Sequence, residues 1–258
     1  MSIQLTIVIP TLNEAKNIKI LIKGLKKQLK NFTWEIIVVD DNSSDKTYEV
    51  VNKISLNDNR ISCIRRIGKK GLSSACIEGI KSANGNYVCI MDADLQHPID
   101  KLAPMFLKIM LKKSDIIVGS RYKGGRINSN WPIYRRIISR FATILSKIIL
   151  RSNKVSDPMS GFFIIKKTSY KELEDRLYGI GFKILFDILS SSKRNLKILE
   201  FPIFFDSRRY GKSKLNSFVI FDFIRLIFHK IILRISNDVK IIFFTITIIG
   251  VLIYFLFF

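Results

Sequence analysis

The sequence predicts an α/β fold: a mostly parallel sheet flanked by helices, then an interfacial amphipathic helix and one C-terminal transmembrane helix. Three observations lead there. Short apolar runs alternate with amphipathic helical patterns through the first half of the chain. The residues after those runs are polar and acidic. The last 18 residues carry no charge.

Leu5–Pro10 is the first apolar run, and after it Ile18, Leu21, Ile22, Leu25 and Leu29 recur at helical spacing, so a strand is followed by an amphipathic helix. Residues 35–39 repeat the strand pattern before a helix from about Asp45. Residues 61–64 precede a helix with Leu72, Ala75, Cys76, Gly79, Ile80 and Ala83 on one face. YVCIM (87–91) is the fourth strand and DIIVGS (115–120) the fifth, with a helix around Leu102–Leu111 between them. Continuous apolar strands separated by helices indicate a sheet buried on both faces with right-handed crossovers. Ligands in such sheets bind beyond the carboxyl ends of the strands.

The 258 residues hold 43 Lys and Arg against 21 Asp and Glu, a net charge of +22, and 48% are hydrophobic. That balance excludes a disordered or collagen-like chain. The first 100 residues carry only +3 and the remainder +19, so the second half is expected to meet something anionic. No nucleic-acid-binding module is recognisable, and the basic excess lies beside the apolar tail, where anionic lipid accounts for it. Cys63, Cys76 and Cys89 lack CxxC spacing and are expected to be buried and reduced.

The tail from Ile241 to Phe258 reads as one bilayer crossing, near the lower limit of about 17–25 residues. Before it, residues 215–236 read as an amphipathic helix in the interface, with Arg225, Lys230 and Arg234 snorkelling toward head groups. Basic residues crowd the N-terminal flank of the span, which puts the large domain on the cytoplasmic side, and no cleavable signal precedes MSIQLTIVIP. The expected organisation is a catalytic-sized domain over 1–214, an interfacial helix over 215–236 and a transmembrane helix over 239–258.

The residues after the strands are the candidates for chemistry. Pro10-Thr11-Leu12-Asn13-Glu14 follows the first strand, Asp40 to Asp45 the second, Asp92-Ala93-Asp94-Leu95-Gln96 the fourth and Ser120-Arg121-Tyr122 the fifth. Carboxylates from three strands converging on one edge repel one another unless a divalent cation or a basic group joins them. Oxygen donors of this kind suit Mg²⁺ or Mn²⁺. There is no P-loop and no GxGxxG. Arg135 and Ser139, four apart on a predicted helix, share a face able to grip a phosphate. Lys183 and Asp187 have the same spacing and read either as an exposed ion pair or as site residues.

Six ordered segments, VIPTLNE (8–14), VVDDNSSDKT (38–47), MDADLQHP (91–98), GSRY (119–122), SDPMSGFF (156–163) and R-x-x-G-x-S-K (208–214), resemble those of inverting family 2 glycosyltransferases with a GT-A fold. More narrowly, they are similar to the polyprenol- and dolichol-phosphate mannose synthases. The resemblance implies a sugar-nucleotide donor, GDP-mannose first, and a polyprenyl or dolichyl phosphate acceptor. It places the nucleoside against Pro10, Leu12, Glu14, Val39 and Asp41, and the diphosphate along Asp92, Ala93 and Asp94. Arg208 and Lys214 clamp the diphosphate, and Asp94 and Gln96 hold the metal. The acceptor phosphate falls to Arg121, Arg135 and Ser139, and the catalytic set is Asp92, Asp94 and Arg121. Leu12 stands where relatives commonly carry Tyr, so stacking on the base is lost. Transfer of glucose or an amino sugar to undecaprenyl phosphate is the alternative that the same motifs allow. Asp157 either opens the segment lining a sugar pocket or caps a structural turn before the strand FFII. A lipid phosphate is already largely dianionic at neutral pH, its second pKa being about 6, so no general base is required and His97 reads as a loop residue.

Overall fold

The computed structural model describes residues 2–124, 126–127, 133–150, 155–207 and 217–232, with the backbone alone over 126–127, 133–141 and 217–220. The first half holds β1 (Leu5–Thr11), α1 (Ala15–Gln28), β2 (Trp34–Asp40), α2 (Thr47–Ser55), β3 (Ile61–Arg65), α3 (Leu72–Ser82), β4 (Tyr87–Ile90), α4 (Leu102–Leu111) and β5 (Ile116–Ser120). The second half adds β6 (Arg126–Ile127), α5 (Ile133–Leu150), β7 (Phe163–Lys166), α6 (Lys167–Lys171), α7 (Ile184–Ser191), β8 (Ile198–Pro202), β9 (Phe204–Phe205) and α8 (Ser217–Ile232).

Seven strands form one sheet in the order β3-β2-β1-β4-β7-β5-β8. Its pairs are parallel except those of β7, which runs antiparallel to both β4 and β5. A short parallel pair, β6 with β9, stands apart. Strand alternation sorts the core into two layers. Leu5, Ile7, Ile9, Ile36 and Val38 face α1 and α4, whereas Val8, Ile37 and Val39 face α3 and α7. Apolar demand on both sides is what makes these strands read as unbroken hydrophobic runs.

Connections from β1 lead one way to β2 and β3, while β4 lies on the other side of β1, so the carboxyl ends of β1 and β4 flank the point where strand order reverses. Because β7 is antiparallel, residues 157–162 arrive at this same rim.

A third cluster joins α5, α7 and α8 through Ile149, Met159, Phe186, Leu226 and Ile227. Here the structure corrects two expectations. Asp187 is fully buried, and its partner is Lys230 of α8 at 2.5 Å, so Lys183 and Asp187 do not form an exposed pair. Lys230, 2% exposed, also donates to Ser191 Oγ at 2.6 Å and to the Arg176 carbonyl at 3.1 Å. It therefore points into the domain and does not snorkel. The reason is electrostatic: the Asp187 carboxylate, which also accepts the Gly179 N–H at 2.9 Å, needs a counter-charge away from water. Arg225 is exposed, and Phe221, Ile224 and Phe228 (58%, 56% and 54% exposed) share its outward side.

Among the described residues no helix is long and apolar enough to cross a membrane. The span expected over 239–258 lies outside them. The cysteines are free, Cys76 and Cys89 are buried, and burial pushes the Cys63 thiol up to about 12, so none is poised as a thiolate.

Packing of α3 on the sheet allows a direct test. A Cβ on Gly79 would overlap Val8 Cγ1 and lie 3.0 Å from Val39 Cγ2. Gly79→Ala gains up to about 1 kcal/mol of helix propensity but overpacks at a cost of about 1–3 kcal/mol, so urea denaturation is expected to show net destabilisation. Lys230→Met strands a buried carboxylate and is expected to cost about 3–5 kcal/mol, most of it recovered by adding Asp187→Asn. Equal midpoints for the single and double variants would contradict the buried-pair assignment.

Candidate active site

The loops after β1 and β2 are zipped together by short polar side chains. Asn13 donates its N–H to Ser43 Oγ at 2.8 Å and accepts the Ser44 N–H on Oδ1 at 2.9 Å. Ala15 N–H reaches Asp45 Oδ2 at 2.9 Å, and Glu14 N–H reaches Thr47 Oγ1 at 3.0 Å. Asn13 and Asn42 take left-handed backbone conformations, with φ of 56° and 55°, which Asn tolerates. Asp40 is fully buried and accepts from the hydroxyls of Thr11 (2.9 Å) and Ser43 (2.5 Å).

Asp41, next in line, meets a residue that the motifs do not single out. Arg66, just beyond β3, places Nε 2.7 Å from Asp41 Oδ1, and Gly71 N–H lies 2.8 Å from Oδ2. The guanidinium is itself held by Ser74 Oγ at 2.9 Å and the Gly71 carbonyl at 3.2 Å. A carboxylate oxygen can accept two bonds, so Asp41 keeps capacity for a ligand while Arg66 fixes its direction. The available signal is Arg65-Arg66, two cations at a post-strand position. Pro10 and Val39 are buried within their strands, Val39 packing in the α3-side core, and Leu12 is half-buried. Glu14 is buried and its carboxylate accepts from Asn17 Nδ2 at 2.6 Å.

After β4 the chain turns sharply. Gln96 N–H donates to Asp94 Oδ1 at 3.1 Å, and Leu95 adopts φ 63°, uncommon for a non-glycine residue. Ala93, Asp94 and Gln96 are all buried. The Gln96 amide nitrogen donates to the Asp206 carbonyl at 2.8 Å, and Asp206 N–H returns to the Gln96 carbonyl at 3.1 Å, tying the segment after β9 to this turn. Asp92 leans on Gly161: a Cβ there would lie 2.8 Å from Asp92 Oδ2. Gly161 is thus the residue that lets the β7 approach close against a carboxylate.

Arg121, after β5, is clamped by Asp157. Nε and Nη2 donate to the two carboxylate oxygens at 2.7 and 2.8 Å, and the backbone N–H adds a third bond at 3.1 Å. Asp157 is fully buried. This bidentate geometry uses two of the five guanidinium donors and fixes the plane of the rest. The turn bearing Asp157 is stapled in turn by Glu200, which accepts from Ser156 N–H at 2.9 Å and Ser156 Oγ at 2.5 Å. Asp157 therefore grips Arg121 from a turn that Glu200 holds in place.

The rim thus brings together Glu14, Asp41, Asp92, Asp94 and Gln96, with Arg121 across β7. Arg208 and Lys214 lie outside the described residues, as do the side chains of Arg135 and Ser139. Among the described residues no three His, Cys, Asp or Glu side chains group as a cation site. Asp94 and Gln96 are hard oxygen donors on one turn, and Mg²⁺ or Mn²⁺ takes its other ligands from phosphates and water, so the residues present fit such an ion.

His97 lies in the loop after β4, as expected, but is buried there: the residue is 4% exposed, its ring stacked on Phe162 (5.3 Å, 21°) and tilted against Phe205 (5.3 Å). Burial pushes it down to about 4, with Arg121 acting in the same direction and Asp94 and Asp157 opposing. Between about pH 6.5 and 4 the unfolded chain binds a proton that the folded chain refuses, so stability rises with pH across that window and levels off above it. The loss on acidification is at most about 3 kcal/mol. Urea midpoints at pH 7.0, 5.5 and 4.5 are expected to fall for the wild type and to fall less for His97→Asn; identical slopes would contradict this origin.

The family model described as Glycosyl transferase family 2 matches residues 6–174. The chain is similar to proteins named dolichol-phosphate mannosyltransferase from three organisms. It is 41% identical to that of Pyrococcus furiosus over 227 residues, covering 87% of this chain but 63% of the relative's length. Identity is 35% with that of Mycosarcoma maydis, over 85% of this chain and 76% of the relative. With that of Saccharomyces cerevisiae it is 33%, over 95% and 93%. Among solved structures, glucosyl-3-phosphoglycerate synthase of Mycobacterium tuberculosis with Mn²⁺, UDP-glucose and glycerol 3-phosphate superposes with a TM-score of 0.62 at 17% identity, covering 86% of this chain and 79% of that one. Staphylococcus aureus TarS with UDP-GlcNAc gives 0.60 at 20% identity, covering 92% and 69%. These structures share the fold. With more than half of its length on the family model and relatives above 30% identity, the chain belongs to glycosyl transferase family 2 and is a glycosyltransferase.

Proposed function

We propose that this glycosyltransferase moves mannose from GDP-mannose to a polyprenyl or dolichyl phosphate, with inversion and with a divalent cation. The observation that carries the reading is the placement of the Asp92–Gln96 turn and the Asp157-oriented Arg121 on one rim, separated by a single strand. Three relatives at 33–41% identity bear the name dolichol-phosphate mannosyltransferase, which supports the acceptor class.

In this reading Pro10, Leu12, Glu14, Val39 and Asp41 receive the nucleoside, and Arg66 keeps Asp41 aimed. Asp92, Ala93 and Asp94 run along the diphosphate, with Arg208 and Lys214 closing from the other side. Asp94 and Gln96 would hold Mg²⁺ or Mn²⁺, which when bound would supply Lewis-acid neutralisation of the departing nucleoside diphosphate. A solved structure of the same fold, the mycobacterial synthase, holds Mn²⁺ together with UDP-glucose, which supports the cation. Arg121, Arg135 and Ser139 orient the lipid phosphate. That dianion attacks the anomeric carbon directly, so the chain supplies placement and charge and no base. His97, held neutral and walled by phenylalanines, is consistent with a base-free step.

The lipid acceptor requires a membrane. The outward stripe of Phe221, Ile224 and Phe228 with Arg225 supports an interfacial role for the helix expected over 215–236. The span expected over 239–258 completes a single-pass anchor with the catalytic domain on the cytoplasmic side.

Purified protein in detergent with Mg²⁺ or Mn²⁺ is expected to transfer labelled mannose from GDP-mannose to polyprenyl phosphate, giving the β-linked product from the α-linked donor. Chelation by EDTA is expected to stop transfer, and Asp94→Ala to lower kcat/KM by at least about 100-fold. Transfer from UDP-glucose and not from GDP-mannose would reassign the donor. No transfer from either, or from amino-sugar nucleotides, would remove the reading.

A further inference from the structure

His97 takes no part in the steps above, yet it is enclosed more completely than the carboxylates beside it. The β4 ladder ends one residue before it is needed: Met91 N–H still donates to the Val8 carbonyl at 3.2 Å, but Asp92 N–H has passed the end of β4. Its bond instead goes to His97 Nδ1 at 3.3 Å. The six-residue turn is thereby closed on itself by a side chain. With Nδ1 accepting, the ring proton sits on Nε2, which lies 3.9 Å from Asp92 Oδ2. Gly161 crowds that same oxygen: a Cβ there would lie 2.8 Å from Asp92 Oδ2. Phe162 and Phe205 fix the plane of the ring, and Phe205 lies 5.5 Å from the Arg121 guanidinium.

We propose that His97 is a positioning residue for Asp92: its Nδ1 terminates the β4 strand end, and its edge and the Gly161 backbone confine the Asp92 carboxylate to one direction. The inference rests on the reading that Asp92 lies in the donor site. A side chain confined by its neighbours needs no reordering when ligand arrives, which is where a positioning residue contributes.

The test compares two amides whose one-methylene difference in length changes where they put their oxygen. In His97→Asn the amide stands near the Nδ1 position and accepts the Asp92 N–H; in His97→Gln it reaches the Nε2 position and leaves that N–H without its partner. The expected result is that His97→Gln lowers kcat/KM for the donor about 30-fold and weakens calorimetric binding of GDP with Mn²⁺, with KM for the lipid acceptor within about 2-fold, while His97→Asn recovers to within about 5-fold of wild type. Gln equal to or better than Asn, or both variants at the wild-type level, would overturn the proposal. A ¹⁵N-histidine NMR spectrum of the wild type provides a check that does not depend on variants: His97 protonated on Nε2 is expected, and protonation on Nδ1 would overturn it. Asp92→Asn separates the two levels of argument. Full activity in that variant would dismiss Asp92 from the donor site, whereas a wild-type-like His97→Gln beside an impaired Asp92→Asn would dismiss only the positioning role.

Discussion

Compensation of buried carboxylates governs the carboxyl rim of this sheet. Withdrawing a carboxylate from water costs several kcal/mol unless hydrogen bonds and an opposite charge replace the lost hydration. Asp40 is met by hydroxyls, Asp41 by Arg66, Asp157 by Arg121 and Asp187 by Lys230, each within about the length of a charge-assisted bond. These pairs do more than cancel charge. Each joins segments distant in the chain, so the position of one loop is set by another, and the Asp92–Gln96 turn is left between two prebuilt walls.

The reversal of β7 makes those walls meet. A fully parallel continuation would have carried residues 157–162 to the far end of the sheet; running antiparallel, they come back to the rim beside Asp92. Gly161 then serves as the contact surface for a carboxylate, and Asp157 as the clamp on Arg121. One topological exception therefore supplies both the acidic side and the basic side of the rim with support.

The fold is legible in the sequence because its signals are local. The five strands and four helices of the first half coincide with the apolar runs to within one or two residues, since burial on both faces leaves no room for polar interruption. Asp92, Asp94 and Arg121 are legible for a related reason: they directly follow strands. Arg66, Glu200 and the orientation of Lys230 are not, because each acts through a partner 25 to 44 residues away, and periodicity carries no information about pairing at that range. Lys230 is the sharpest case. Along the sequence it belongs with the other cations that interrupt the apolar series of residues 215–236, and the buried Asp187 on another helix holds it inward. His97 is hidden in a similar way: the loop around it is polar, but two phenylalanines from later in the chain enclose it.

The attachment of α8 has an evolutionary implication. The helix is fastened by a lysine on one side and offers aromatic and aliphatic groups on the other, so docking and outward contact are encoded by different residues. Drift at Phe221, Ile224 or Phe228 can retune what the helix meets without loosening its seat, whereas a change at residue 230 must be answered at residue 187. Homologous chains should accordingly show a permissive outer stripe and a coupled inner pair.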